Sequence, residues 1–163
     1  MTLGELKKTL PENTEFKVES PLIVDWDAIA VSQDGDVLYY ILYPAGETFE
    51  DSDTIETLLT DNPNYRTAQG IGPGTTITEA EEIHGDATLS FNWSNEAREY
   101  VEFDKLSEED IKFRTQQMPG DDQFAGIYNS PETEEVNQTD KFKEAASIGS
   151  VEIYLNLGEK EEL

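Results

Sequence analysis

The chain has 163 residues, and its 36 Asp and Glu against 11 Lys and Arg leave a net charge of −25 at pH 7. So acidic a surface repels nucleic-acid backbones and anionic membranes. No run is long enough for a transmembrane helix, and the absence of cysteine removes disulfides, thiol nucleophiles and thiolate metal sites. With 10% aromatic residues the chain can build a real core, so one domain over residues 1–163 is expected.

Thr2 and Glu5 have the spacing of a capping box: the hydroxyl accepts from the Glu5 amide while the carboxylate reaches back to the Thr2 amide. Leu3, Leu6 and Leu10 then share one face of a helix over residues 2–10, ended by Pro11. A natural chain rarely begins inside a cap, so a signal peptide or lipobox segment is expected to precede residue 1. Alternation over residues 14–20 predicts a strand with one buried face, interrupted by Pro21. Residues 22–31 are apolar, with Asp25-Trp26-Asp27 marking a bend or bulge. Gln33-Asp34-Gly35-Asp36 is a hairpin turn, and residues 37–43, the most hydrophobic run, are the predicted central strand. Residues 47–53 form an acidic loop, and residues 54–60 read as a strand or a helical turn, with their β-branched content favouring the strand.

Residues 62–86 are the best-punctuated stretch. Gly70, Gly72 and Gly74 with Pro73 define a turn, after which Thr76 and Glu79 repeat the capping-box spacing. Ile77, Ala80 and Ile83 fall on one face, and Gly85 stops a helix over residues 76–84. A glycine-rich turn at a helix N-terminus can cradle phosphate. Here no Lys-Ser/Thr follows the glycines, and Glu79, Glu81 and Glu82 crowd the place an anion would take. A tight turn feeding a capped helix is the simpler reading.

Tyr65-Arg66-Thr67, Gly70-Ile71-Gly72, Gly74-Thr75-Thr76 and Gly85 together resemble a segment of the RpoE-regulated lipoprotein family, bacterial envelope proteins of unknown function. His84 stands where that family tends to have an aromatic. The resemblance covers residues 62–86 well and the rest in outline. It brings no catalytic residue. It implies an extracytoplasmic, single-domain protein made with a signal peptide.

Further strands are predicted over residues 88–93, 100–103, 111–114, 124–128 and 146–155. Residues 107–110 read as a turn or cap and 116–122 as a loop. Residues 130–143 read as a long polar loop with some helical character, and 159–163 as a charged tail. The fold class is α+β: an antiparallel meandering sheet with two short capped helices. Thr2-x-x-Glu5 and Thr76-x-x-Glu79 suggest an internal duplication, with pseudo-repeats at 2–61 and 76–155 sharing one core.

Three Asp-x-Asp pairs stand out. Asp25 and Asp27, with Asp34 and Asp36, are the candidate metal ligands, and calcium is the cation such oxygen donors suit; Asp51 and Asp53 form the third pair. None fits a twelve-residue EF-hand loop, and chance pairs are expected in so acidic a chain. A glycosidase needs two carboxylates flanking a cleft, a distance that no spacing fixes. His84, the single histidine, has no Gly-x-Ser-x-Gly elbow to serve, so a structural place near a helix end is expected. Trp26, Trp93, Tyr39, Tyr40, Tyr43, Tyr100 and Tyr128 are core candidates that could also line a stacking groove.

No catalytic or cofactor-binding residue emerges. The favoured expectation is a non-enzymatic, envelope-associated binding or interaction module with a protein or small-molecule partner. The alternative is a secreted, cation-dependent or carbohydrate-active hydrolase using the Asp pairs and exposed aromatics.

Overall fold

A computed structural model describes residues 1–23, 25–106, 110–119, 123–129 and 134–155. These form nine strands and two α-helices: α1 (Leu3–Thr9), β1 (Thr14–Ile23), β2 (Trp26–Gln33), β3 (Asp36–Pro44), β4 (Thr57–Thr60), α2 (Ile77–His84), β5 (Ala87–Asn92), β6 (Glu99–Phe103), β7 (Ile111–Thr115), β8 (Val136–Thr139) and β9 (Ile148–Tyr154). The architecture is α+β and dominated by antiparallel sheet. The chain divides into two compact units, Met1–Asn62 with the chain from Glu152, and Pro63–Val151. No helix among the described residues is long and apolar enough to cross a membrane.

The first unit is a meander in the order β1-β2-β3-β4. Its α1 cap is the complete box: Thr2 N–H donates to Glu5 Oε2 at 2.8 Å, and Glu5 N–H donates to Thr2 Oγ1 at 3.2 Å. Leu3 is buried, and Leu6 and Leu10 pack on a cluster of Ile29, Val31, Ile41, Tyr43 and Ile55. Trp26 and Tyr40 lie on the other face with Ala28, Leu42 and Leu59. Strand pleating therefore sends Tyr39 and Tyr40 to opposite faces. Ile23 pairs with Trp26 at the close of the antiparallel β1–β2 pair. Gln33 pairs with Asp36 across a two-residue turn in which Asp34 and Gly35 both have positive φ, 52° and 87°.

In the second unit the order is β7-β6-β5-β8. The turn before α2 is a local clasp. Arg66 Nη1 donates to Gly70 O (3.0 Å) and Thr75 Oγ1 (2.9 Å), and Gly72 N–H donates to the same hydroxyl at 3.1 Å. A Cβ at Gly72 would lie 2.3 Å from Tyr65 O, so glycine is required there by contact. Thr76 is the N-cap, accepting from Glu79 N–H at 3.1 Å, and Gly85 ends the helix at φ 84°.

Both helix starts are tied to a distant strand in one way. In the first unit Thr2 bridges Thr54: Ile55 N–H donates to Met1 O and Leu3 N–H to Asp53 O, both at 3.0 Å. In the second unit Thr76 bridges Ser147: Ile148 N–H donates to Thr75 O at 2.8 Å and Ile77 N–H to Ala146 O at 2.9 Å. Each bridge leads into a strand, β4 and β9 respectively.

Several expectations are corrected. The buried face of α2 is Ile77, Ala80 and His84, while Ile83 is 48% exposed. At 100° per residue, position 84 falls between 77 and 80, and 83 falls to the flank. Val18 is 60% exposed, although the alternation of β1 assigns it to the buried face with Phe16. Residues 124–128 form no strand but an irregular segment with one bridge, Gly126 to Phe142. Residues 130–143 contain β8, and their described part has no helix. The expectations for 107–109, 120–122, 130–133 and the tail 159–163 lie outside the described residues.

Candidate functional site

The strongest candidate is an aromatic face of the second unit, built outward from β5. Alternation along β5 buries Leu89 and Phe91. The strand stops where Asn92 Oδ1 accepts from Ser94 N–H (2.9 Å) and Ser94 Oγ (2.7 Å), closing a 3-10 turn over Trp93–Asn95. Trp93 thus leaves the pleat. Its amide donates to Glu135 O at 3.0 Å, and its ring is 48% exposed.

That ring sits on other rings. Trp93 meets Phe91 edge-on at 5.2 Å and 84°, and Phe124 at 6.2 Å and 70°. Phe91 stacks on Phe124 at 4.0 Å and meets Tyr128 edge-on at 4.8 Å. Both geometries are favourable for aromatic pairs and add to the stabilisation from buried area.

Phe124 and Tyr128 belong to the irregular segment, and Glu99 holds it in place. Glu99 opens β6 on its inward face, in register with Val101 and Phe103, and is 7% exposed. Oε1 accepts from Thr115 Oγ1 (2.6 Å) and Ala125 N–H (2.8 Å). Oε2 accepts from Tyr128 Oη–H (2.6 Å) and Gly126 N–H (3.0 Å). Four donors around one buried carboxylate compensate its desolvation. On the segment's other side Lys143 Nζ donates to Phe124 O (2.6 Å) and Ile127 N–H to Lys141 O (2.8 Å). The platform under Trp93 is therefore held by hydrogen bonds on both sides.

The surroundings are acidic. Glu96, Glu134 and Glu135 are exposed beside the Trp93 turn; Arg98 Nε is directed to Asn95 O at 3.1 Å. Among the described residues Asn95 Oδ1 is buried without a hydrogen-bond partner; Asn95 also borders a cavity of about 570 Å³ with Ser90, Tyr100, Glu102 and Lys112.

The candidate metal ligands do not come together. Asp25 and Asp27 lie at one end of the β2–β3 hairpin and Asp34 and Asp36 at the other, roughly 20 Å away along β2. Asp27 is 5% exposed, and its carboxylate accepts from Ser20 Oγ (2.8 Å) and Gly46 N–H (3.0 Å). Asp25, Asp34 and Asp36 are exposed. Asp51 pairs with Lys7 at 2.7 Å, and Asp53 Oδ2 accepts from Glu50 N–H. Among the described residues no group of three or more His, Asp or Glu is placed to hold a metal ion.

His84 is 6% exposed, with its ring 6.0 Å from Phe103. Of the tyrosines, Tyr43 stacks on Phe49 at 5.3 Å. Burial pushes its hydroxyl above the ordinary tyrosine value, and Asp27 adds to this. Tyr40 is raised likewise, by burial first and then by Asp61 and Glu19. Trp93 and Tyr128 were legible as stacking candidates. Phe91, Phe124 and Glu99 were not singled out, although an acid in register with Val101 and Phe103 was a visible signal. No family model, curated protein or solved structure matches this chain.

Proposed function

We propose that the protein is a non-enzymatic binding module whose contact face is centred on Trp93. The observation that supports this is a half-exposed tryptophan on a pre-set stack of Phe91, Phe124 and Tyr128. A rigid aromatic loses little entropy on binding, which is why such residues dominate interface energetics. Glu99, whose carboxylate meets the Tyr128 hydroxyl, commits both oxygens to holding the fold, which favours binding over hydrolysis. An extracytoplasmic location belongs to the proposal and rests on the resemblance of residues 62–86 to envelope lipoproteins. So does descent from a duplicated helix-plus-strands unit, at 2–61 and 76–155, supported by the matching ties at Thr2–Thr54 and Thr76–Ser147.

The test uses a Trp26→Phe variant, in which Trp93 is the sole tryptophan. Its emission is followed against a basic hexapeptide, an acidic hexapeptide and a neutral hexasaccharide. A saturable response to any of them, absent when a tyrosine-excited Trp93→Ala control is titrated, supports the binding face. A flat response to all three sinks it.

A further inference from the structure

Resting on that binding face, we propose that its partner is a basic protein segment carrying arginine, whose guanidinium stacks on Trp93. Two independent features converge on this chemistry. The first is the ring: a half-exposed indole offers a negative π face, and tryptophan is the best aromatic acceptor of a cation. The second is charge. The chain carries −25, and the turn that presents the ring is flanked by exposed Glu96, Glu134 and Glu135. Such a field draws cationic partners in and turns anionic ones away.

Arginine suits this surface better than lysine. Its planar guanidinium stacks on an aromatic face while its five N–H groups still donate outward, and it sheds water more readily than an ammonium. One arginine can cover the ring and donate to a flanking carboxylate.

The experiment is calorimetric titration of the full chain with hexaarginine amide, repeated with hexalysine amide and neutral cellohexaose, at low and raised salt. Saturable binding of hexaarginine is expected, at least threefold tighter than hexalysine and weakening as salt rises. Trp93→Ala should weaken it at least tenfold, and the milder Trp93→Phe, which keeps the packing on Phe91, about threefold. Glu96→Gln with Glu135→Gln should weaken it severalfold and flatten the salt dependence. The remote pair Asp34→Asn and Asp36→Asn, at the β2–β3 turn, should leave it unchanged. The proposal is overturned if both Trp93 variants bind like the parent chain, or if the remote pair weakens binding as much as the Glu96 and Glu135 pair, since diffuse charge would then account for everything. Trp93-dependent binding of cellohexaose with none of hexaarginine overturns the arginine partner and leaves the binding face standing. Silence from every probe here and in the fluorescence panel removes both.

Discussion

The two units use one device to different depths. Each pins irregular chain to a strand through a single buried carboxylate. In the first unit Asp27 accepts two hydrogen bonds, from Ser20 and Gly46, and holds the irregular end of β1 and the turn after β3. In the second unit Glu99 accepts four and holds the segment that carries Phe124 and Tyr128. Hydrogen bonds to a charged acceptor each contribute about 1.5–3 kcal/mol, so the second anchor is the stronger. The difference follows what each anchor supports. Asp27 tidies the end of a hairpin, whereas Glu99 sets the floor beneath an exposed tryptophan. Investment in rigidity marks the second unit as the place where geometry matters.

Conveniently, each unit has its own tryptophan, Trp26 in the first and Trp93 in the second, so single-tryptophan variants let urea unfolding be read unit by unit. The largest effect is expected at Gly72. Gly72→Ala puts a methyl 2.3 Å from Tyr65 O and should cost about 3 kcal/mol or more, seen first by the Trp93 probe. Gly46→Ala makes the contrast. That site has open space and only its positive φ to oppose a side chain, so about 1 kcal/mol should be lost, seen by the Trp26 probe. Next comes Glu99→Gln, which turns an amide towards donors that need an acceptor. It should cost about 3 kcal/mol and release Tyr128, raising Trp93 quenching by acrylamide. Asp27→Asn should cost about 1.5 kcal/mol and leave Trp93 unmoved. If Asp27→Asn proved as damaging as Glu99→Gln, the two anchors would be equivalent and rigidity would no longer single out the second unit.

How much of this was legible in the sequence depends on how local each feature is. The cap of α1, the stop at Gly85 and the turn at Asp34-Gly35 are decided within a few residues, and the chain spells them out. The apolar run of residues 37–43 marked β3 as a strand, but not as the central one: it is one of two inner strands of the β1-β2-β3-β4 meander. Residues 124–128 looked like a strand because Phe124 and Tyr128 are strand formers. Their backbone instead answers to Glu99, some 25 residues earlier, which captures the amides of Ala125 and Gly126. β8 was missed because its one apolar residue, Val136, is exposed while polar Asn137 is buried, so its pairing with β5 leaves little trace in composition. His84 took the buried place assigned to Ile83 because helix geometry outweighed hydrophobicity. The Asp pairs illustrate the converse limit. Spacing can suggest ligands, but whether Asp25 and Asp27 meet Asp34 and Asp36 is decided by the length of β2.

The smallest expected effect separates the two helix starts. Thr2→Ala and Thr76→Ala should each cost about 1 kcal/mol, since each removes the hydroxyl that caps a third-residue amide. The first cap has a further component, Glu5 reaching back to the Thr2 amide. That backbone hydrogen bond, more than the nearby N-terminal and Lys8 charges, holds the Glu5 carboxyl below its ordinary value of 4.5. A depressed carboxylate stabilises the fold above its unfolded-state value, and the contribution is lost as pH falls through the lower folded value. Protection factors of the amides at the start of α1, measured against their intrinsic exchange rates, should therefore fall below about pH 4.5. Glu5→Gln should remove that dependence, because a neutral amide can still accept from Thr2 but has no proton to gain. A pH profile unchanged by Glu5→Gln would mean that the box is held by its threonine, and the two caps would then differ in geometry but not in acid sensitivity.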